Sequence, residues 1–119
     1  MNDMLSWLLA GHMAGDYLFQ TRWMAERKTT HFSALAIHAA VYTCAVYLAS
    51  LARGQSSGGL SSLGVLFVFA AHVVIDKRNI TLWWCRHVTR SNRTWLLIMT
   101  DQSLHVVILA LTCILERRW

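Results

Sequence analysis

Apolar residues gather into four runs of near-membrane length, and ionisable residues recur inside every one of them. The runs cover about Met4 to Trp23, Ser33 to Ala52, Leu60 to Asp76 and Trp95 to Leu115. A helix needs about 20 apolar residues to cross ~30 Å of hydrocarbon, so each run is near that length, the first and third being short or interrupted by polar groups. Lipid offers no partner to backbone polar groups, which excludes open sheet and predicts helices. The pattern predicts an all-α fold: a four-helix transmembrane bundle forming one domain over residues 1–119. Arg53 to Gly59 reads as a flexible turn between the second and third helices.

Seven acids and imidazoles sit inside the runs: His12 and Asp16, His38, His72 and Asp76, and Asp101 and His105. Three of these sets are a His and an Asp one helical turn apart, so both project from one face. Such residues at bilayer depth are costly, and they normally face a partner or a cavity.

Lys and Arg set the orientation. Arg22, Arg27 and Lys28 lie between the first two runs, and Lys77, Arg78, Arg86, Arg90 and Arg93 between the last two. Only Arg53, Arg117 and Arg118 lie on the opposite side. Both basic connections should therefore face the cytoplasm and both termini the outside. Trp23, Trp83, Trp84 and Trp95 would form a cytoplasmic aromatic belt, with Trp7 and Trp119 on the far side. At ~1.5 Å rise per residue, Asp16 lies roughly 10 Å above the cytoplasmic end of its run, and His38 and Asp101 roughly 8–9 Å above theirs. Asp76 is nearer the surface, His72 one turn deeper, and His12 and His105 deepest. Neighbouring helices run in opposite directions, yet all four sets fall in the cytoplasmic half. That convergence predicts one shared polar site.

Two readings stand for the connection from Lys77 to Arg93. Ile80, Trp83, Trp84, His87 and Val88 share one helical face and Arg86, Arg90 and Arg93 another, as in an interfacial amphipathic helix holding lipid phosphates. An ordinary positive-inside loop has the same composition. Two glycosylation patterns, at Asn79 and Asn92, are discounted because they fall on the cytoplasmic side. The start of the chain lacks a basic n-region, so the first run is expected to persist in the mature protein.

Composition agrees with a membrane bundle: 55% of the 119 residues are hydrophobic, 14% are charged and none is proline. The net charge of +5 sits in the connections, which favours lipid contact over nucleic acid. Cys44, Cys85 and Cys113 are scattered and form no metal or disulfide pattern.

Imidazole with carboxylate suits Zn²⁺, Mn²⁺ or Fe²⁺, whereas carboxylate alone favours Mg²⁺ or Ca²⁺. Four His and three Asp suffice for one metal with supporting partners, or for two metals. Three ionised Asp in a low-dielectric bundle also require a positive charge, from a metal, protonated His or Lys28. Hydrogen bonding between helices without metal is the competing reading. Gln20 continues the His12/Asp16 face and can donate to the site, while Gln102 is expected to point elsewhere. His31 and His87 are expected in exposed loops. Gly11 and Gly15 form a GxxxG, and Ala36, Ala39 and Ala40 flank His38; both sets allow close helix approach.

Gly11-His12 with Asp16-Tyr17-Leu18 and Gln20-Thr21, then Trp23, Lys28 and His38, His72 with Ile75-Asp76-Lys77, and Asp101-Gln102 with His105 occur in that order. Together they resemble an uncharacterised family of small bacterial and phage membrane proteins known only as a domain of unknown function. The resemblance covers nearly the whole chain. It implies a four-helix membrane protein from a bacterium or a phage genome and no established reaction; the expected location is a bacterial inner membrane. The helical His-x3-Asp pattern is also loosely similar to inner-membrane proteins called metal-dependent hydrolases.

No Ser/His/Asp order or glycine-rich phosphate loop is present, so the simplest catalytic reading is a metal-activated water with Asp16, Asp76 or Asp101 accepting its proton. The metal ligands are drawn from His12, Asp16, His38, His72, Asp76, Asp101 and His105, and Lys28, Arg86, Arg90 and Arg93 would hold an anionic lipid headgroup. Transport of protons or metal ions is the alternative, although Val46, Leu48, Val65, Leu66, Val107 and Ile108 offer no path through the outer half. A transporter this small would also need to form a homo-oligomer. A structural or regulatory membrane protein is the third reading.

Overall fold

The computed structural model describes residues 3–52 and 58–117. These residues contain helices and no strand: α1 (Met4–Met13), a π-helical turn (Ala14–Leu18), α2 (Arg22–Arg27), α3 (Phe32–Leu51), α4 (Ser62–Asp76), α5 (Asn79–His87) and α6 (Thr94–Glu116). Residues 53–57 of the expected turn from Arg53 to Gly59, and Arg118 and Trp119, lie outside the described residues.

Local chemistry sets the helix ends. Asp3 caps α1 by accepting from Leu5 N at 3.1 Å, and Ser61 caps α4 by accepting from Gly64 N at 3.1 Å. Thr21 caps α2, so the first apolar run does not continue to Trp23: it ends at the π-turn, and Trp23 belongs to a separate short helix. Arg78 and Arg117 adopt left-handed φ of 64° and 54°, which start α5 and stop α6. The connection from Lys77 to Arg93 thus contains a helix. Its inward side is Thr81 and Cys85, and Ile80, Leu82, Trp83 and Trp84 face outward.

α1, α3, α4 and α6 form a ring in which each helix packs on two neighbours, with α2 against α3 and α5 against α4 and α6. Gly11 and Gly15 seat the first segment on α3. A Cβ at Gly11 would lie 2.7 Å from Val46 Cα, and one at Gly15 2.9 Å from Tyr42 Cα. At one end of the bundle an apolar layer of Met4, Leu8, Val46, Leu60, Val68, Leu109 and Cys113 fills the interior, with Tyr42 at its inner edge.

Large apolar side chains cover the outside, including Leu18, Phe32, Leu63, Leu66, Trp95 and Val107, while His12, Asp16, Lys28, His38, His72, Asp76 and His105 are buried. Among the described residues, two helices are long and apolar enough to cross a membrane, Phe32–Leu51 and Thr94–Glu116; Ser62–Asp76 is apolar but has 15 residues.

Candidate metal centre

Four elements deliver six acids and imidazoles, five of them buried and Asp101 half-buried, to the same end of the bundle. The π-turn carries Asp16, α3 His38, α4 His72 and Asp76, and α6 Asp101 and His105. A π-turn adds a residue to the helical circuit, and Phe19 N bonds Ala14 O at 2.9 Å there.

Asp76 is the hub. Its Oδ2 lies 2.9 Å from His38 Nε2, 3.1 Å from His72 Nε2 and 3.0 Å from Lys28 Nζ, and its Oδ1 lies 3.3 Å from His105 Nε2. Asp16 Oδ1 lies 3.1 Å from His38 Nε2 and 4.0 Å from His72 Nε2. Both Asp76 oxygens and His72 Nε2 are buried, yet among the described residues none has a partner in hydrogen-bonding geometry. Their lone pairs converge in distance without pairing. Unpaired buried acceptors are costly, and a shared cation satisfies them together.

Hydrogen bonds fix the imidazole tautomers. His105 Nδ1 donates to the Asp101 backbone carbonyl at 2.8 Å, which leaves a lone pair on Nε2. His72 Nδ1 then donates to His105 Nε2 at 3.1 Å. In that tautomer His72 Nε2 is left with a lone pair facing the carboxylates of Asp76 and Asp16, beside the Lys28 ammonium on Asp76 Oδ2. Metal-ligating His residues use the same device, a second ring nitrogen anchored by a carbonyl or another acceptor.

The ligand atoms offered by Asp16, His38, His72 and Asp76 all lie within 4.8 Å of one another, as do those of Asp76, Asp101 and His105. Metal–ligand bonds of ~2.0–2.1 Å in a tetrahedron give ligand separations of about 3.3 Å. The measured contacts in the first group, 2.9 to 4.0 Å, bracket that value. The first group therefore could hold a metal ion.

His12 stands outside both groups. Its Nε2 donates to Gln102 Oε1 at 2.8 Å and its Nδ1 accepts from the Tyr42 hydroxyl at 3.0 Å. Gln102 does not point elsewhere: its Nε2 reaches Asp16 Oδ2 at 3.3 Å and Asp101 Oδ2 at 3.2 Å. The amide lies close enough to α1 for its long side chain to fold back across the bundle. Gln20 donates to the Asp16 backbone carbonyl at 3.1 Å. Tyr42, which the sequence pattern did not single out, stacks on His72; its place one helical turn after His38 was the available signal. His31 is exposed, and His87 is exposed at the end of α5.

A cleft of about 380 Å³ opens onto the site, walled by Asp16, Gln20, Lys28, Arg78, Asp101 and Gln102 among others. Leu82 and Leu97 also line it, and the same two residues line an adjoining groove of about 660 Å³ that carries Arg86, Arg90 and Arg93.

A family model described as a protein of unknown function (DUF3307) matches residues 4–117. No curated protein and no solved structure matches the chain.

Proposed function

The chain belongs to the DUF3307 family, and from the geometry of its polar site we propose that it is an integral membrane protein that binds a divalent metal and hydrolyses a lipid-borne ester or phosphoester. The observation that carries the proposal is the convergence of His38 Nε2, His72 Nε2, Asp16 Oδ1 and Asp76 Oδ2 at ligand-like spacing: His38 Nε2 and Asp16 Oδ1 are hydrogen-bonded at 3.1 Å, whereas the buried His72 Nε2 and both Asp76 oxygens are outside hydrogen-bonding geometry. A bound divalent ion would supply Lewis-acid polarisation of the scissile group.

The chain's own residues do the rest. Asp16, Asp76 and Asp101 are the proton acceptors available to a water in the cleft, and Asp101 and Asp16 stand in its wall. Lys28 and Arg78 face the same cleft, and Arg86, Arg90 and Arg93 line the groove beyond Leu82 and Leu97. This continuous basic path suits an anionic headgroup arriving from the membrane surface.

Membrane insertion of all four ring helices is part of the proposal. Its support is the apolar exterior and the openness of α6, in whose most apolar window 22% of residues are buried. A helix at the centre of a soluble protein would be mostly enclosed. We read the basic connections as marking the cytoplasmic side, which would set the site end there and the termini outside. Transport is disfavoured because the layer of Met4, Leu8, Val46, Val68, Leu109 and Cys113 closes the opposite half.

The test is elemental mass spectrometry of the detergent-purified protein beside a folded His72→Ala/Asp76→Ala variant, followed by a panel of lipid esters and phosphoesters in liposomes. The expected result is near-stoichiometric Zn, Mn or Fe, absent from the variant, and metal-dependent turnover of one substrate class. Absence of metal after reconstitution rejects the hydrolase reading, and metal without turnover reduces the site to a structural one.

A further inference from the structure

Building on the metal-binding reading above, we infer that the cluster is made for two divalent cations, bridged by the carboxylates of Asp16 and Asp76, and that its substrate is the phosphoester rather than the carboxylic ester. Each of the two carboxylates turns one oxygen to each side of the site. Asp76 presents Oδ2 to His38 and His72, at 2.9 and 3.1 Å, and Oδ1 to His105, at 3.3 Å. Asp16 presents Oδ1 to the same two imidazoles, at 3.1 and 4.0 Å, and Oδ2 to His105 Nε2, at 4.0 Å. Two bridging carboxylates with separate imidazoles on either side form the donor set of a binuclear centre.

The second position has its own ligand. Asp101 joins Asp76 and His105 in a group whose ligand atoms lie within 4.8 Å of one another. Asp76 is 1% exposed, and neither of its oxygens has a hydrogen-bond partner among the described residues, nor has Asp101 Oδ1. One cation accounts for the unpaired oxygen on the His38 side and leaves Asp76 Oδ1 and Asp101 Oδ1 unsatisfied. A second ion, held with Asp101, accounts for both.

Formal charge points to the substrate. Asp16, Asp76 and Asp101 carry −3 and Lys28 +1, so one divalent ion brings the cluster to zero and a second to +2. A phosphate dianion neutralises +2, whereas a neutral ester does not. Two ions about 3.5–4 Å apart also stabilise both the attacking and the leaving oxygen of an in-line displacement at phosphorus.

The two positions are unequal. The His105 Nε2 lone pair accepts from His72 Nδ1 at 3.1 Å, and the second ion must take it over. The second ion therefore binds at least about tenfold more weakly than the first, the scale on which such supporting contacts alter metal affinity.

The experiment is titration of the metal-free, full-length protein in detergent with Mn²⁺, counting bound metal and recording electron paramagnetic resonance. The expected result is two Mn²⁺ per chain in two phases, with exchange coupling appearing in the second. Asp101→Asn should remove that second phase and keep the first. Saturation at one Mn²⁺, or two uncoupled ions, overturns the binuclear centre and leaves the metal reading intact. No binding overturns both. If Asp101→Asn does not fold, stoichiometry and coupling in the unmodified protein decide alone.

Discussion

Tyr42 lies flat against the His72 imidazole, with ring centroids 3.8 Å apart and planes 14° from parallel. Its hydroxyl also reaches His12 Nδ1 at 3.0 Å. One residue of α3 thereby positions a metal-ligand candidate on α4 and an imidazole on α1. Tyr42→Phe keeps the ring and strands His12 Nδ1 without its donor. The expected outcome is a folded protein whose metal affinity falls about tenfold, the lower end of what outer partners contribute. Tyr42→Ala also empties the stacked position and costs ~3–5 kcal/mol of stability. Metal titration alongside thermal denaturation separates the two, and unchanged affinity in Tyr42→Phe removes Tyr42 from the site.

Lys28 competes with a bound cation for Asp76. Its ammonium is 3.0 Å from Asp76 Oδ2 and almost fully enclosed. Replacing it by Met removes a positive charge from the ligand shell and keeps the apolar stem. Metal binding to Lys28→Met should tighten by about tenfold, or ~1.4 kcal/mol. Hydrolysis should nevertheless fall, because the cleft loses a cation that faces the substrate. Calorimetric titration checks the first statement; a weakened affinity would show that Lys28 supports the ion instead of opposing it.

The His-x3-Asp spacing made much of this site legible in advance. A helix brings residues four apart to one face, and His72 Nε2 does meet Asp76 Oδ2 at 3.1 Å. The depth comparison of antiparallel helices likewise anticipated that Asp16, His38, Asp76 and His105 meet at one end. What the sequence hid is local. The π-turn over Ala14–Leu18 alters the one-turn relation of His12 to Asp16, and these two are joined through Gln102. Gln102 looked misdirected because spacing describes where Cβ points, and a long side chain can return across that direction. The break before Arg22 had a signal, Thr21 as a cap, but the apolar count overrode it.

Gly11 and Gly15 should be intolerant of even one methyl group. The Cβ of Gly11→Ala would meet Val46 Cα at 2.7 Å and Ala45 O at 2.9 Å, backbone atoms that cannot rotate away. Overpacking of this kind costs ~1–3 kcal/mol. Separation of the first segment from α3 also withdraws Asp16 from His38, so metal affinity should fall in parallel with stability. Gly15→Ala is expected to behave alike. Denaturant titration in detergent, repeated with saturating metal, tests the link: equal destabilisation with and without metal would uncouple the helix seam from the site.

Acid should release the metal. Imidazole binds a cation only through an unprotonated nitrogen, and the reference side chain titrates near pH ~6.5. Protons are therefore competitors, and the sign is a loss of affinity as pH falls. His38 and His72 each offer one nitrogen to the first group. Two competing protons give a decline of up to ~100-fold per pH unit over the range in which both imidazoles take up a proton, and a plateau at higher pH. Equilibrium dialysis from pH 5 to 8 measures the slope, and affinity that is flat across this range would exclude imidazole ligation.

Charge on the outer face distinguishes lipid from water around the bundle. Leu66 on α4 and Val107 on α6 are 65% and 53% exposed, and each belongs to a ring helix. In water, Leu66→Arg or Val107→Arg would remove an exposed apolar group and should be within ~0.5 kcal/mol of neutral. In a bilayer the same Arg costs ~2.5–3.5 kcal/mol at the centre of a helix, enough to reduce insertion. The apolar exterior leads us to expect the second outcome, with Arg at Arg86 or Arg90 positions changed to Leu having no such effect because these residues border the basic groove. Membrane fractionation with a glycosylation-site reporter reads insertion directly. Full, stable recovery of both Arg variants in the soluble fraction would mean that α4 and α6 meet water.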